Sequence, residues 1–469
     1  MKKNKFTENQ KIRRIHLSRC YRYFLFFIMI NLDCTLDISN GIFSSASKEI
    51  KKSLNINDAK FGSFSTATSI GKIFSSILFI LLNQKISRKK LITLCIFLNS
   101  ILLFTFKIIQ NANILIINYC LLGLTKTIVT IYIPVWINQF GHSEYKTVEL
   151  TCTQFFQSIG KILGNLINLI LGYENWQNGL IISGSYLLIL SFCCLISNED
   201  YFSRTLFSKY FEQNKINENR MSSTIFQENE INKNYKENNK KKINYFSEFS
   251  SLFRNPIYII SLICGSIIRG LITCLNYWLP DFLRNIINEK NAKLTICYAI
   301  ISLVGPFGGI IANNHLKKYI GSYESRKASW PIVILHSIAS IFSISIGLMK
   351  SLTSICIITV CYHIFNSSIL ALIQGIIISC VDKKLSATGY AFANICMQII
   401  VGPTPILYGI ISDKFKNKYP YLPMCCIMSI NLLAVPLLIY LAILRNKKFG
   451  KEEDKENRNE EELIEKEKI

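Results

Sequence analysis

Six charged side chains interrupt apolar stretches of this sequence, where a charge is costly unless it has a partner or a role. Two are acids, Asp33 and Asp37, and their spacing places both on one face of a helix. The other four are cations near the middle of their stretches, namely Lys72, Lys126, Lys161 and Arg269. This excess of cations predicts that an anionic or zwitterionic group from outside the chain completes the charge balance.

The two acids form the first chemical hypothesis. Two carboxylates on one inward face need a cation, or one of them must hold a proton. Lys126 is the natural partner if its helix faces the same cavity, and Asp33 and Asp37 are then the candidate proton-coupling residues. The alternative interpretation is a set of buried ion pairs with a structural role only.

Further candidate binding residues lie in the same stretches. Lys126 and Arg269 could clamp an anionic headgroup, because the Arg fork suits phosphate or carboxylate and Lys adds a point charge. Trp278 is interpreted either as an interfacial anchor or as an aromatic gate. His363 is interpreted either as a hydrogen-bonded packing residue or as a coupling group.

The elements that must position these residues are twelve apolar stretches of about 20 residues, enough to cross a bilayer core about 30 Å thick. Two sets of six predict an all-α membrane protein with twelve transmembrane helices in two six-helix halves. The expected spans are 24–46, 61–83, 91–110, 113–137, 147–171, 177–197, 257–281, 294–314, 328–349, 354–380, 386–411 and 423–444.

Charged segments divide the chain further. The central segment is polar and charged and cannot bury enough apolar surface to order itself, while the tail is a Glu/Lys run. The expected parts are a basic cytosolic N-terminus at 1–22, an N-terminal half at 23–197, a disordered cytosolic linker at 198–254, a C-terminal half at 255–445 and a charged cytosolic tail at 446–469.

Composition excludes several classes of function. The chain has 469 residues, is 50% hydrophobic and carries a net charge of +23. Most Lys and Arg fall in segments that the positive-inside rule places in the cytosol, so the charge reports topology and lipid attraction rather than nucleic-acid binding. No CxxC pair, zinc spacing, P-loop or nucleophile motif occurs, so a non-enzymatic protein without metal or cofactor is expected. The protein is also expected to be a monomer.

Small residues and helix breakers predict where helices pack and bend. Gly160 and Gly164 form a small-xxx-small pair that lets two helices approach closely. Breakers predict bends about which the two halves could rock around a central site. The candidate gating positions are Pro134, Gly402, Pro403 and Pro405.

The loop after the second span resembles that of the major facilitator superfamily, which usually reads Gly-x-x-x-Asp-Arg-x-Gly-Arg-Lys. The matching run is 80–89, in which Arg88 and Lys89 keep the basic end and Gln84 replaces the Asp. The resemblance implies the major facilitator fold and marks Gln84, Arg88 and Lys89 as loop residues that take part in gating.

Three runs are similar to the Spinster-like branch of that superfamily: 254–256, 276–283 and 405–413. Span four keeps the spacing of Gly123 and Pro134, but Tyr119 stands at the branch's Arg position and Lys126 at its Glu position. The resemblance implies proton-linked movement of lysophospholipids or sphingoid phosphates, a coupling carboxylate from span one, and Tyr119 as a candidate binding residue.

The sequence thus predicts a secondary active transporter of a small organic solute, anionic or amphiphilic, such as a lysophospholipid. It would work by alternating access within a lipid bilayer, with a proton as candidate co-substrate. One alternative is a carrier of a hydrophilic solute such as a carboxylate, amino acid or sugar. Another is a non-transporting receptor or scaffold with the same fold, which the altered loop at Gln84 favours.

Overall fold

The structure is a computed structural model of this chain that describes residues 2–82, 86–140, 146–199, 202, 252–287, 291–320, 328–381 and 386–448. The described part is helical with short turns. The N-terminal half comprises α1 (Lys2–Ser45), α2 (Ser47–Leu54), α3 (Asp58–Leu82), α4 (Arg88–Thr105), α5 (Ala112–Phe140), α6 (Lys146–Leu171) and α7 (Trp176–Ile196). The C-terminal half comprises α8 (Pro256–Ile286), α9 (Asn291–Ile320), α10 (Ser329–Ile346), α11 (Leu352–Ser379), α12 (Ser386–Val401), α13 (Pro403–Phe415) and α14 (Leu422–Ser429), followed by a 3₁₀ turn (Ile430–Leu433) and helical residues 434–448.

Within these described ranges, ten helices are long and apolar enough to cross a membrane. The other two predicted spans, 91–110 and 147–171, coincide with α4 and α6. The apolar part of α6, Phe155–Leu171, is shorter than the ten, and α4 begins with three basic residues. Every predicted span therefore coincides with helical structure, which confirms the predicted all-α membrane fold.

Glycines bring α1 and α6 into backbone contact, as the small-residue pair predicts. A methyl group at Gly41 would overlap the backbone carbonyl of Lys161, and one at Gly164 would overlap that of Ile38. A methyl group at Gly160 would lie 3.1 Å from the Cβ atom of Asp37. This close approach places the acids of α1 beside Lys161 of α6.

A second glycine pair joins α3 and α5. A methyl group at Gly71 would overlap the carbonyl of Cys120, and one at Gly123 would overlap the carbonyl of Thr68. Lys72 follows Gly71 directly, and Lys126 lies one helical turn beyond Gly123. The two lysines are therefore carried by helices whose separation is fixed by backbone contact.

The two halves meet mainly where α3 packs on α12 and α13, where α6 packs on α9, and where α1 packs on α8. The breaker at Gly402 and Pro403 separates α12 from α13 in the first of these contacts. Thr66 Oγ1 of the N-terminal half donates to the carbonyl of Gly402 at 2.8 Å. Pro405 has no N–H to offer the carbonyl of Val401, which instead accepts from Thr404 Oγ1 at 2.8 Å.

The predicted linker and tail lie mostly outside the described residues, and so does Gln84. At the start of the linker, Phe202 is fully buried and its ring stacks on Tyr132 at 6.2 Å between centroids. The Tyr132 hydroxyl donates to the carbonyl of Phe202 at 2.6 Å. The N-terminal half thus includes packed residues beyond position 197.

Candidate functional site

A cavity of about 250 Å³ lies between the two halves. Its wall is formed by α1, α3, α4, α5 and α6 on one side and by α8, α9, α11 and α12 on the other. The side chains that line it are mainly hydroxyls, carboxamides and charged groups. This position and composition suit a solute that carries a charged or hydrogen-bonding group.

All four cations that interrupt the apolar stretches line this cavity, namely Lys72, Lys126, Lys161 and Arg269. Three come from the N-terminal half and Arg269 comes from the C-terminal half. The sequence proposed Lys126 and Arg269 as binding residues, and the structure brings both to one cavity. It adds Lys72 and Lys161, which the sequence flagged as buried charges without assigning them to the site.

Asp37 is the partner of Lys126. The ammonium group donates to Asp37 Oδ1 at 2.9 Å and to the carbonyl of Leu36 at 3.1 Å. Asn40 Nδ2 donates to the same carboxylate oxygen at 2.7 Å, and the Tyr119 hydroxyl donates to Asn40 Oδ1 at 3.3 Å. The predicted pair between α1 and Lys126 is therefore made by Asp37, and Tyr119 supports it through Asn40.

Asp33 lies one helical turn away in a different environment. It is 1% exposed, and Gln157 Nε2 donates to its Oδ2 atom at 2.9 Å. Its Oδ1 atom is buried without a hydrogen-bond partner in the described part of the chain. Asp33 is thus a buried carboxyl held by one neutral amide, whereas Asp37 is a buried carboxylate held by a cation.

Lys72, Lys161 and Arg269 differ from Lys126 in their surroundings. Across the described ranges, none of the three side chains has a hydrogen-bond or ion-pair partner. Each is partly exposed, and the cavity lies beside it. Asp37 is the only carboxylate among the described lining residues, and it is already bound to Lys126.

Two other candidates from the sequence occupy different places in the structure, one inside the cavity lining and one outside it. His363 lines the cavity, is 3% exposed and has no partner for Nε2 in the described residues. Trp278 lies outside the cavity lining and is fully buried, so the interpretation as an interfacial anchor is wrong. Its Nε1 atom donates to the Pro405 carbonyl at 2.9 Å, and its ring stacks on Tyr408 at 4.7 Å.

Trp278 belongs to an aromatic layer beside the cavity, together with Phe61, Tyr277 and Tyr408. Tyr277 also lines the cavity, and its hydroxyl donates to the carbonyl of Phe61 at 2.8 Å across the two halves. This layer packs the halves together on the side where α1 ends and α3 begins.

Beyond the aromatic layer lies a group of four charged residues that we call the latch: Lys51, Asp58, Asp281 and Lys416. Lys51 Nζ donates to Asp58 at 2.7 Å and to Asp281 at 2.8 Å, and Lys416 Nζ donates to Asp58 at 2.5 Å. Asp281 and Lys416 belong to the C-terminal half, so two of the three bonds join the halves. The sequence does not reveal this group, because each member lies near the end of a helix and its partners are distant along the chain.

Neighbouring bonds reinforce the latch. The Asp413 carboxylate accepts from the backbone N–H groups of Asp58 at 3.0 Å and Ala59 at 2.9 Å, so it caps the start of α3. Arg284 pairs with Glu49 at 3.5 Å, also between the halves.

The predicted gating residues Arg88 and Lys89 lie at the opposite end of α3, where they form the first turn of α4. Ser87 Oγ caps that helix by accepting from Lys90 N at 3.3 Å.

Comparison with known proteins gives a family and a fold. The model of the Major Facilitator Superfamily matches residues 34–405. A solved structure of a bacterial homolog to the human lysosomal transporter Spinster, inward-facing and unoccupied, superposes with a TM-score of 0.65. The identity is 13%, covering 92% of this chain and 98% of that one. The inward-facing, occupied form gives a TM-score of 0.61 at 12% identity over 91% and 96%.

A search of curated proteins finds no match. The likeness to the two solved structures shows the fold alone at these identities. The family model, in contrast, spans the helices that build the cavity, from α1 to the start of α13. The chain therefore belongs to the major facilitator superfamily, whose members are membrane transporters.

Proposed function

We propose that this protein is a secondary active transporter that carries a small organic anion by alternating access. The observation that carries the proposal is the cation cluster of the cavity, to which both halves contribute. Three of its four members have no partner among the described residues. A bound anion would supply the missing partner and would contact both halves at once.

The chemistry of the cluster fits a phosphate or carboxylate group. Arg269 presents a planar fork that can bind two oxygen atoms, and Lys72 and Lys161 add point charges from the facing half. An uncharged solute would leave these cations without compensation in a site of low dielectric. A neutral sugar is therefore the poorest match among the solutes predicted from the sequence.

Two kinds of organic anion remain, and different observations favour them. The motifs similar to the Spinster-like branch favour a lysophospholipid, whose phosphate would lie among the cations while its acyl chain left the cavity. The lining favours a hydrophilic anion, because it contains seven carboxamide side chains and the cavity is small. We therefore propose that the protein recognises the anionic group, which both kinds of solute share. The uptake experiment distinguishes a solute with an apolar tail from one without.

Proton coupling is assigned to Asp33 in this proposal. Asp37 is bound to Lys126 and accepts a further bond from Asn40, so protonating it would break an existing ion pair. Asp33 has one neutral donor, Gln157, and a buried oxygen atom without a partner in the described residues. A proton on Asp33 would therefore cost the least in lost contacts.

The proposed topology places both termini in the cytosol, as the positive-inside rule predicts. The latch then lies on the outer side, because α1 ends there. A latch whose bonds join the halves on that side supports an inward-facing state, which is also the state of the two similar solved structures. Protease protection of the linker in sealed vesicles of known orientation tests this arrangement.

Uptake by the purified protein in liposomes tests the substrate class. The liposomes are preloaded with the same probe in unlabelled form, and three labelled probes are compared at equal concentration: 1-hexanoyl lysophosphatidate, citrate and glucose. We expect uptake of at least one of the two anions above protein-free liposomes, and no uptake of glucose. Uptake of glucose alone would overturn the proposal, and uptake of none would favour the receptor or scaffold interpretation.

A further inference from the structure

We infer that the transporter is an obligate anion exchanger, in which neither the outward nor the return movement occurs with an empty cavity. This inference rests on the proposed function, since it assumes that the cargo is an anion. It goes further by stating what must fill the cavity after the cargo has left. The argument starts from the charge balance of the cavity.

With its four cations protonated, the cavity is positive in the described residues under every assignment of the acids. Its lining holds four cations and one carboxylate, and Asp33 is a second carboxyl just behind it. If Asp33 and Asp37 are both ionised, two cations still lack a carboxylate. A substrate anion would balance them, but its release would uncover the charge again.

The positions of the cations, and not only their number, raise the energy of closing the two halves over a cavity that holds no anion. We call that movement the empty crossing. Lys72 and Lys161 belong to the N-terminal half and Arg269 to the C-terminal half. Alternating access requires the halves to close over the cavity before they open on the other side. Without an anion, that closure would enclose like charges from both halves in a site of low dielectric.

A proton cannot take the place of the anion. Protonation of Asp33, Asp37 or His363 would make the cavity more positive, so proton coupling does not ease the empty crossing. A proton can accompany a bound anion, and Asp33 can carry it, but the return movement still requires an anion. Proton coupling and exchange are therefore compatible, and exchange follows from the cations alone.

The experiment compares two modes of efflux from liposomes that contain the wild-type protein. The vesicles are loaded with labelled 1-hexanoyl lysophosphatidate or labelled citrate at equal pH on both sides. Efflux is measured into a medium whose only anion is a bulky sulfonate buffer and into the same medium with the unlabelled probe. We expect the unlabelled probe to accelerate efflux by about a hundredfold, the factor typical of leaving a buried charge without its partner.

The contradicting result is efflux that is equally fast, within about threefold, with and without the external probe. In that case a cavity cation loses its proton, and with it its charge, in the empty state. The protein then changes between its two open states without an anion. Absence of any efflux for both probes in both media would instead remove the anionic cargo, and with it the exchange built on that cargo.

A variant pair gives an independent readout. Lys72→Gln with Lys161→Gln leaves Lys126, Asp37 and Arg269 in place and removes two uncompensated charges. We expect this protein to exchange more slowly but to show a much smaller ratio between the two efflux modes. An unchanged ratio in a folded double variant would contradict the assignment of the empty-crossing barrier to these lysines.

Discussion

The latch and the cavity both bury charges between the two halves, but only the latch balances them. Lys51 and Lys416 face Asp58 and Asp281 with bonds of 2.5 to 2.8 Å. In the cavity, four cations share one lining carboxylate. Balanced charges hold one conformation of the protein together, whereas the surplus in the cavity requires a partner that the described residues do not supply.

This contrast separates structural ion pairs from a binding site without reference to any relative. A buried pair that already satisfies its hydrogen bonds gains nothing from a ligand. A buried cation without a partner gains the full charge-assisted interaction when an anion arrives. The same reasoning applies inside the cavity: Lys126 already has Asp37 as its partner, whereas Lys72, Lys161 and Arg269 have none among the described residues and can bind an anion.

The largest predicted effect is a loss of anion binding. It is tested by the same substitution at two positions of α8, of which the second is the control. Arg269→Gln should weaken binding of the transported anion by at least about a hundredfold, because it truncates one partner of a buried charge pair. Arg284→Gln removes a latch-side arginine that pairs with Glu49 at 3.5 Å and should change the affinity only slightly. Titration calorimetry on the purified variants measures both. Equal losses of affinity would erase the distinction between the cavity and the latch.

The second prediction concerns the pair inside the cavity. Lys126→Gln should lower the free energy of unfolding by about 2 kcal/mol, because it leaves Asp37 buried without its cation while the site retains some solvent. Combining it with Asp37→Asn should recover most of that loss. Thermal unfolding in detergent measures both changes. If the double variant were as unstable as the single one, the pair would not be the structural unit described here.

The third prediction concerns the latch. Asp281→Asn should weaken the bond to Lys51 and shift the population toward the state with this end open by roughly tenfold, about 1 to 2 kcal/mol for a charged hydrogen bond. Distances between spin labels at Ser53 and Lys418, which lie in opposite halves, report the shift. An unchanged distance distribution would show that the aromatic layer alone keeps this end closed.

The latch also has a predicted pH dependence. Burial lowers the pKa of Lys51, but Asp281 and Asp58 outweigh burial and hold it above the ordinary value of 10.5. A raised pKa means that the bond contributes fully below pH 10.5 and is lost as the pH rises through the raised value. The same spin labels should therefore report a closed end throughout the neutral range. Opening between pH 6 and 8 would contradict the assignment to Lys51.

The smallest effect is expected for Asp33→Asn. Gln157 can hydrogen-bond an amide as well as a carboxylate, so transport at a fixed pH should change by no more than about threefold. The dependence of transport on a proton gradient should disappear, since an amide cannot carry the proton. Retained proton dependence, measured by uptake with and without an imposed gradient, would remove Asp33 from the coupling role.

Much of the site was predictable because charges in apolar helices are rare and costly. Their depth placed Lys126 and Arg269 at one level, and both line the cavity. The choice between Asp33 and Asp37 was beyond the sequence, because residues four apart share a face and only the packing of α6 distinguishes them. Lys72 and Lys161 were visible as charges in the sequence. The direction in which their side chains point depends on the rotation of α3 and α6 about their axes, which the glycine contacts of these helices set.

The latch was unpredictable for a different reason. Lys51 and Asp281 are 230 residues apart in sequence, and Lys416 and Asp58 are 358 apart. Each residue alone is an ordinary charge near a helix end, which a sequence pattern assigns to the interface with water. The burial of Trp278 was also beyond the sequence, because a position near the end of a span fits an interfacial anchor as well as an aromatic gate, and only the fold shows that the other half of the protein covers it.

The most direct test of the central claim is a binding comparison between two ligands that differ only by a phosphate group. The ligands are 1-hexanoyl lysophosphatidate and 1-hexanoylglycerol, which lacks the phosphate, titrated into wild type and the Lys72→Gln, Lys161→Gln, Arg269→Gln triple variant. The surplus of cavity cations predicts that wild type binds the phosphate form at least about a hundredfold more tightly and that the triple variant loses this preference. Equal affinity of wild type for both ligands would contradict the claim that the cavity binds an anion.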